Sequence, residues 1–94
     1  MATIGVLTLE MRFENSHSLK EKRHVVQGLK ERLRHKFNVS VAEIDDQDLH
    51  NSAVLAAVTV SSSKDFAAKV LQAVEDESAS QVGPMLVRAD IEWL

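Results

Sequence analysis

The stretch TIGVLTLEMRFENSHSLKEKRHVVQGLKERLRHKF, residues 3–37, changes its hydrophobic period part-way along, and that change decides how the chain folds. From Leu7 the apolar residues alternate. Leu7, Leu9, Met11 and Phe13 fall on one side and Thr8, Glu10 and Arg12 on the other. A period of two belongs to a half-buried strand. After Asn15-Ser16-His17, which reads as a loop, the period lengthens. Leu19, Val26, Leu29, Leu33 and Phe37 recur at helical spacing and predict an amphipathic helix over 19–36. Ser18-Leu19-Lys20-Glu21 marks its start, because a serine followed three residues later by a glutamate satisfies N–H groups that the first turn leaves unpaired.

Two strands follow, NVSVAEID (38–45) and AVLAAVTVSS (53–62), the second almost wholly small or β-branched. The polar DQDLHN between them closes a hairpin. Ser62-Ser63-Lys64-Asp65 repeats the capping pattern, and Phe66, Ala67, Val70, Leu71 and Val74 line one helical face. Ser78-Ala79-Ser80 is expected to end that helix. Gly83-Pro84 then opens a last strand in which Met85, Val87, Ala89, Ile91 and Trp93 alternate with Arg88, Asp90 and Glu92. The order βαββαβ, with right-handed crossovers, predicts an α+β, ferredoxin-like fold. Its four-stranded antiparallel sheet carries both helices on one face, with the first and third strands central. The whole of 1–94 reads as a single domain, without internal repeat or linker.

The quoted run SLKEKRHVVQGLKERLRHKF continues through NVSVAEIDDQDLHNSAVLAAVTVSS and is preceded by GVLTLEMRF. Over nearly the whole chain it resembles the YlxP-like family of small bacterial proteins, whose function is unknown. The residues that carry the likeness are Ser18-Leu19-Lys20 with Lys22-Arg23, the run Phe37-Asn38-Val39-Ser40-Val41-Ala42-Glu43, and Gln47-Asp48-Leu49. The last strand matches only in pattern. The resemblance implies the ferredoxin-like fold and a setting among genes of translation and ribosome maturation. It implies no activity and no catalytic residue.

Composition narrows the chemistry. Cysteine is absent, which excludes disulfides, thiolate metal sites and cysteine nucleophiles. The N-terminal MATIGVLTLEMRFE lacks a basic region followed by a long apolar run, and no segment approaches the ~20 apolar residues of a membrane span. The expectation is a cytoplasmic protein without membrane attachment. Three activities that use this topology fail on the residues. A phosphate-cradling glycine-rich loop with an arginine is missing, since the first loop is ENSHS. No Cys-x-x-Cys is present for a metal chaperone. The third strand has no aromatic residue on which RNA bases would stack.

Asp45, Asp46, Asp48 and His50 gather in the hairpin loop and have the donor types for a divalent cation. The loop has neither the glycine nor the closing glutamate of an EF-hand and reads as solvated. Asp48 and His50 would suit an acid–base pair, but no nucleophile motif accompanies them. His17, His24 and His35 read as surface residues rather than ligands. The chain is therefore expected to be no enzyme, with no cofactor, metal, catalytic residue or identifiable small-molecule substrate.

The net charge of −3 conceals a division. Residues 12–36 carry +5 and the remainder −8, an asymmetry that points to a charged partner surface. Seven bases lie in the helix: Lys20, Lys22, Arg23, Lys30, Arg32, Arg34 and Lys36. They would be ordinary as a solvated face, and near the C-terminus the helix dipole stabilises Arg32, Arg34 and Lys36. Lys20, Lys22 and Arg23 sit where the dipole disfavours cations, and Lys22 falls near the apolar stripe. A helix start with three such cations suits a phosphate. The anion or RNA-binding set read from the sequence is thus Lys20, Lys22 and Arg23, extended by Lys30, Arg34 and Lys36, with RNA or the ribosome as partner. Gly28, mid-helix and off the stripe, fits either a closely approaching partner or chance. The alternative reading is a dimeric protein-interaction module. The third strand has apolar residues in both registers, Val54, Val58 and Val60 against Leu55 and Ala57, so some must face away from the helices and invite a homodimer.

Overall fold

In the computed structural model, which describes residues 1–14 and 18–94, the alternation from Leu7 becomes β1 (Thr3–Arg12) and the longer period becomes α1 (Leu19–Lys36). β2 (Ser40–Asp45), β3 (Ser52–Ser61), α2 (Lys64–Val82) and β4 (Leu86–Trp93) follow, with a single 3₁₀ turn at Gly83–Met85 before the last strand. The strands form one antiparallel sheet in the order β2-β3-β1-β4, so β1 and β3 are central as expected. This is the ferredoxin-like fold. The loop expected at Asn15–His17 lies outside the described residues. Among the described residues no helix is long and apolar enough to cross a membrane.

Leu7, Leu9, Met11 and Phe13 of the first strand and its end meet Ala53, Leu55 and Ala57 of β3 beneath Val26, Leu29, Leu33, Leu71 and Val74 of the helices. All are buried in one core, and each large aliphatic side chain so removed from water stabilises the fold by roughly 1.5–3 kcal/mol. Both helices start within the capping patterns that the sequence marks, α1 on Ser18 and α2 on Ser63, one residue after the serine that leads its pattern. Ser18 Oγ accepts from the Glu21 N–H at 3.2 Å and Ser63 Oγ from the Phe66 N–H at 3.2 Å. Gly5 is required by packing: a Cβ there would lie 2.6 Å from the Trp93 ring.

Three expectations are corrected. Ser78-Ala79-Ser80 does not end α2, which runs on to Val82. Ser78 is fully buried, and its hydroxyl donates to the Val74 carbonyl one turn back at 2.8 Å, which satisfies it inside the helix. Gly83, with φ 57°, stops the helix instead. Phe66 does not join the core and is 61% exposed. The buried row is Ala67, Leu71, Val74, Ser78 and Val82, and a helix turns Phe66 about 100° away from Ala67. Val87 also stays out of the core and is more than half exposed, at the point where the β1–β4 register slips by one residue between Glu10 and Met11. Leu86 takes the place opposite Met11.

Candidate functional site

The seven bases of α1 divide into three groups once the helix is packed. Lys22 is the first, and its exposure is 0%. It occupies the helical row of Val26, Leu29 and Leu33, and its stem passes under α1 to the β2–β3 hairpin. There Nζ donates to the Asp46 carbonyl at 2.6 Å, to the Ser52 carbonyl at 2.9 Å and more weakly to that of Gln47 at 3.4 Å. Glu43 Oε2 lies 3.2 Å from the same ammonium. That oxygen is buried without an aligned hydrogen bond, so the Lys22–Glu43 contact is one of charge rather than of a directed bond. The hairpin is shaped around this ammonium. Asp46 has φ 62°, its carbonyl also accepts from the Leu49 N–H, and its carboxylate accepts from the Ser52 hydroxyl at 2.7 Å. Lys22 is therefore corrected out of the anion-binding set, because its donors are committed to carbonyls inside the protein.

Arg32 and Lys36 form the second group. They reach across to α2, where Arg32 Nε meets Glu77 Oε2 at 2.5 Å and Lys36 Nζ meets Oε1 at 2.6 Å. The hydrogen bonds from Lys36 and then Arg32 hold the Glu77 carboxyl down to about 2. Lys36 is thus turned toward α2 and away from the track expected of it.

The third group is Lys20, Arg23, Lys30 and Arg34. Their spacing puts them along one flank of α1, and an open cleft there is lined by Lys20, Arg23, Gln27 and Lys30 together with Glu43 of the edge strand β2. Among the described residues no carboxylate lies within ion-pair distance of these four cations. Gln27, between them, donates to Glu31 at 3.2 Å and brings no charge into the flank. His24 and His35 are exposed, while His17 lies outside the described residues. The flank presents cations in series, as a line of phosphates would require, and Glu21, His24 and Glu43 border the same cleft.

The acidic hairpin loop serves an internal purpose. The carbonyls of Asp46, Gln47 and Ser52 accept from Lys22. Among the described residues no cluster of three or more His, Asp or Glu is placed to hold a metal. The sequence reading missed this use of Lys22, although the signal was present: an ammonium at a core position of the stripe, four residues before Val26, must find oxygen partners inside.

Residues 4–91 match the family described as "Protein of unknown function (DUF503)". The uncharacterized protein YlxP of Bacillus subtilis (strain 168) is 39% identical over 71 residues, which is 76% of this chain and 77% of that protein. Among solved structures, Rv0793 from Mycobacterium tuberculosis superposes with a TM-score of 0.57 at 16% identity, over 98% of this chain and 92% of its own. A dimeric ferredoxin-like protein of unknown function from Thermobifida fusca gives 0.55 at 14%, over 99% and 90%. The 30S ribosomal protein S6 from Thermotoga maritima gives 0.56 at 10%, over 100% and 89%. At such identities these structures show the fold alone.

Proposed function

The chain belongs to the DUF503 family of proteins of unknown function, and we propose that it is a non-enzymatic cytoplasmic module that binds RNA phosphates through one flank of α1. The observation that carries this reading is the row of four cations, Lys20, Arg23, Lys30 and Arg34, left without acidic partners among the described residues of a chain whose net charge is −3. Elsewhere on the same helix cations are given partners, at Glu43 and at Glu77. Cations left unpaired on a single flank suit a line of external anions. Affinity comes from charge, with little reading of bases, because no aromatic platform accompanies the cations. The translation-linked gene setting implied by the YlxP-like resemblance favours ribosomal RNA or its precursors. The test is retention of purified ribosomes and of single-stranded RNA across a salt series. Parent protein that binds neither at low salt ends the proposal.

A second reading has its own support and is compatible with the first. The sheet face opposite the helices carries Val6, Val54 and Val58, all partly exposed, with Val60 57% and Ile4 36% exposed. Self-association through this face would cover them while leaving α1 on the outside.

A further inference from the structure

We infer that a second copy of this chain stacks on the open sheet face about a two-fold axis running along the strands, which sets the β2 edge of each copy over the β4 edge of the other. This rests on the self-association reading above and adds its geometry. The basis is how side-chain length changes across the open face. One rung of the sheet reads Ser40, Val58, Val6, Glu92, and the next reads Ala42, Ala56, Thr8, Asp90. Both rungs begin with a short side chain at the β2 edge, pass over small or aliphatic residues, and end with a charged one at the β4 edge; the third, Asp45, Val54, Glu10, Arg88, departs from that order. Arg88, paired with Asp90 at 2.7 Å, continues that charged edge.

Two packed sheets are held about 10 Å apart along their whole width, so the two facing layers must together fill a gap of constant depth. An axis across the strands would set β2 on β2 and β4 on β4. Passing between these two rungs, it would face Ala42 with Ser40 over a void and Asp90 with Glu92, like charges that hold the sheets apart. An axis along the strands avoids both faults. It sets Ala42 against Asp90 and Ser40 against Glu92, short against long, and lets the charged ends reach water past the small residues. The same rotation keeps each rung on its own counterpart, so Val6 meets Val58 and Ile4 meets Val60 in both directions, as a self-complementary interface demands.

The size of the face fits this occupant. Four strands of these lengths give a flat footprint of roughly 550 Å² per copy before side-chain relief, near the lower bound for a specific dimer. An association of moderate, concentration-dependent affinity follows.

The chain has no cysteine, so single introduced thiols report position cleanly. The experiment mixes an Ala42→Cys variant with an Asp90→Cys variant and adds a bismaleimide of about 10 Å span, the separation of stacked sheets. Light scattering of the parent runs alongside. The expected result is a concentration-dependent dimer, with cross-linked dimer abundant in the mixture and scarce with Ala42→Cys alone, whose two thiols would stand about 17 Å apart. Val58→Glu should raise the dissociation constant at least a hundredfold. Val60→Lys, at a more exposed site, provides the same test should Val58→Glu fail to fold. A parent that stays monomeric at high micromolar concentration overturns the self-association reading itself, and so does a folded Val58→Glu or Val60→Lys that dimerises like the parent. A dimer that cross-links through Ala42→Cys alone, or not in the mixture, overturns the axis while leaving self-association standing.

Discussion

Lys22 and Arg23 are neighbours in sequence, carry the same charge and belong to the same helical turn, yet they have opposite fates. Lys22 lies on the row of Val26 and Leu29 and is swallowed whole, whereas Arg23, rotated by about 100°, remains on the exposed flank. One cation is a fastening between α1 and the β2–β3 hairpin, and the other is available to a partner. The lesson is that a count of basic residues along a helix overstates the surface available for binding. Phase relative to the core decides which charges are free.

Replacing the fastening should give the largest effect. Lys22→Met keeps the stem's volume but leaves Glu43 buried without its counter-charge, together with carbonyls shaped around an ammonium. Removing one partner of a buried pair costs about 3–5 kcal/mol, so chemical denaturation should show a loss of that size. Lys22→Met with Glu43→Gln should recover part of it. RNA binding by the folded fraction should stay at the parental level. A Lys22→Met protein as stable as the parent would show that the ammonium is not holding the hairpin.

The exposed flank should respond in the opposite way. Lys20→Glu with Arg23→Glu should lower RNA association and flatten its salt dependence by ~0.7 in log–log slope for each single-strand phosphate that the protein no longer neutralises. Stability should hold or rise by ~0.3–1 kcal/mol per site, because acidic residues suit the first turn of a helix. Arg32 and Arg34, similar in sequence, should also separate. Arg34→Glu should weaken binding, whereas Arg32→Glu should chiefly disturb the Glu77 network. Unchanged ribosome and RNA binding by the Lys20/Arg23 variant across the salt range would reduce the flank to a solvated helix face.

Gly28→Ala sharpens the contrast within α1 by a smaller amount. A Cβ there meets nothing within 4 Å, so the substitution should stabilise the helix by about 1 kcal/mol, read as a raised midpoint of thermal unfolding. The smallest effect is expected at Glu77. Its folded pKa, about 2, lies below the ordinary 4.5, so between those values the folded chain binds fewer protons than the unfolded one. The stability it contributes is therefore complete above about pH 4.5 and is lost as the pH falls toward 2. Glu77→Gln should remove that part of the acid dependence, and a superimposable stability-against-pH curve would count against the network.

The sequence by itself determined the element order, the bounds of α1, its start at Ser18, the start of α2 to within one residue, and the inward face of β1. Each rests on a local rule: a period of two or 3.6, or a side chain that reaches a backbone group three residues on. It also required that one apolar register of β3 face away from the helices, and the structure turns Val54, Val58 and Val60 outward while Leu55 and Ala57 face inward. Only the tertiary structure decided what depends on partners distant in the chain. Ser78 reads as a helix end until burial leaves its hydroxyl bonded to the Val74 carbonyl. Phe66 reads as core until the packing of α2 fixes its phase. The seven bases of α1 look alike along the chain. Glu43, the hairpin carbonyls and Glu77 lie 21 to 45 positions away from the cations they hold, and no local spacing encodes such contacts. Which charges are free for a partner is settled by the packing that brings those acceptors within reach of Lys22, Arg32 and Lys36 and leaves Lys20, Arg23, Lys30 and Arg34 on the outside.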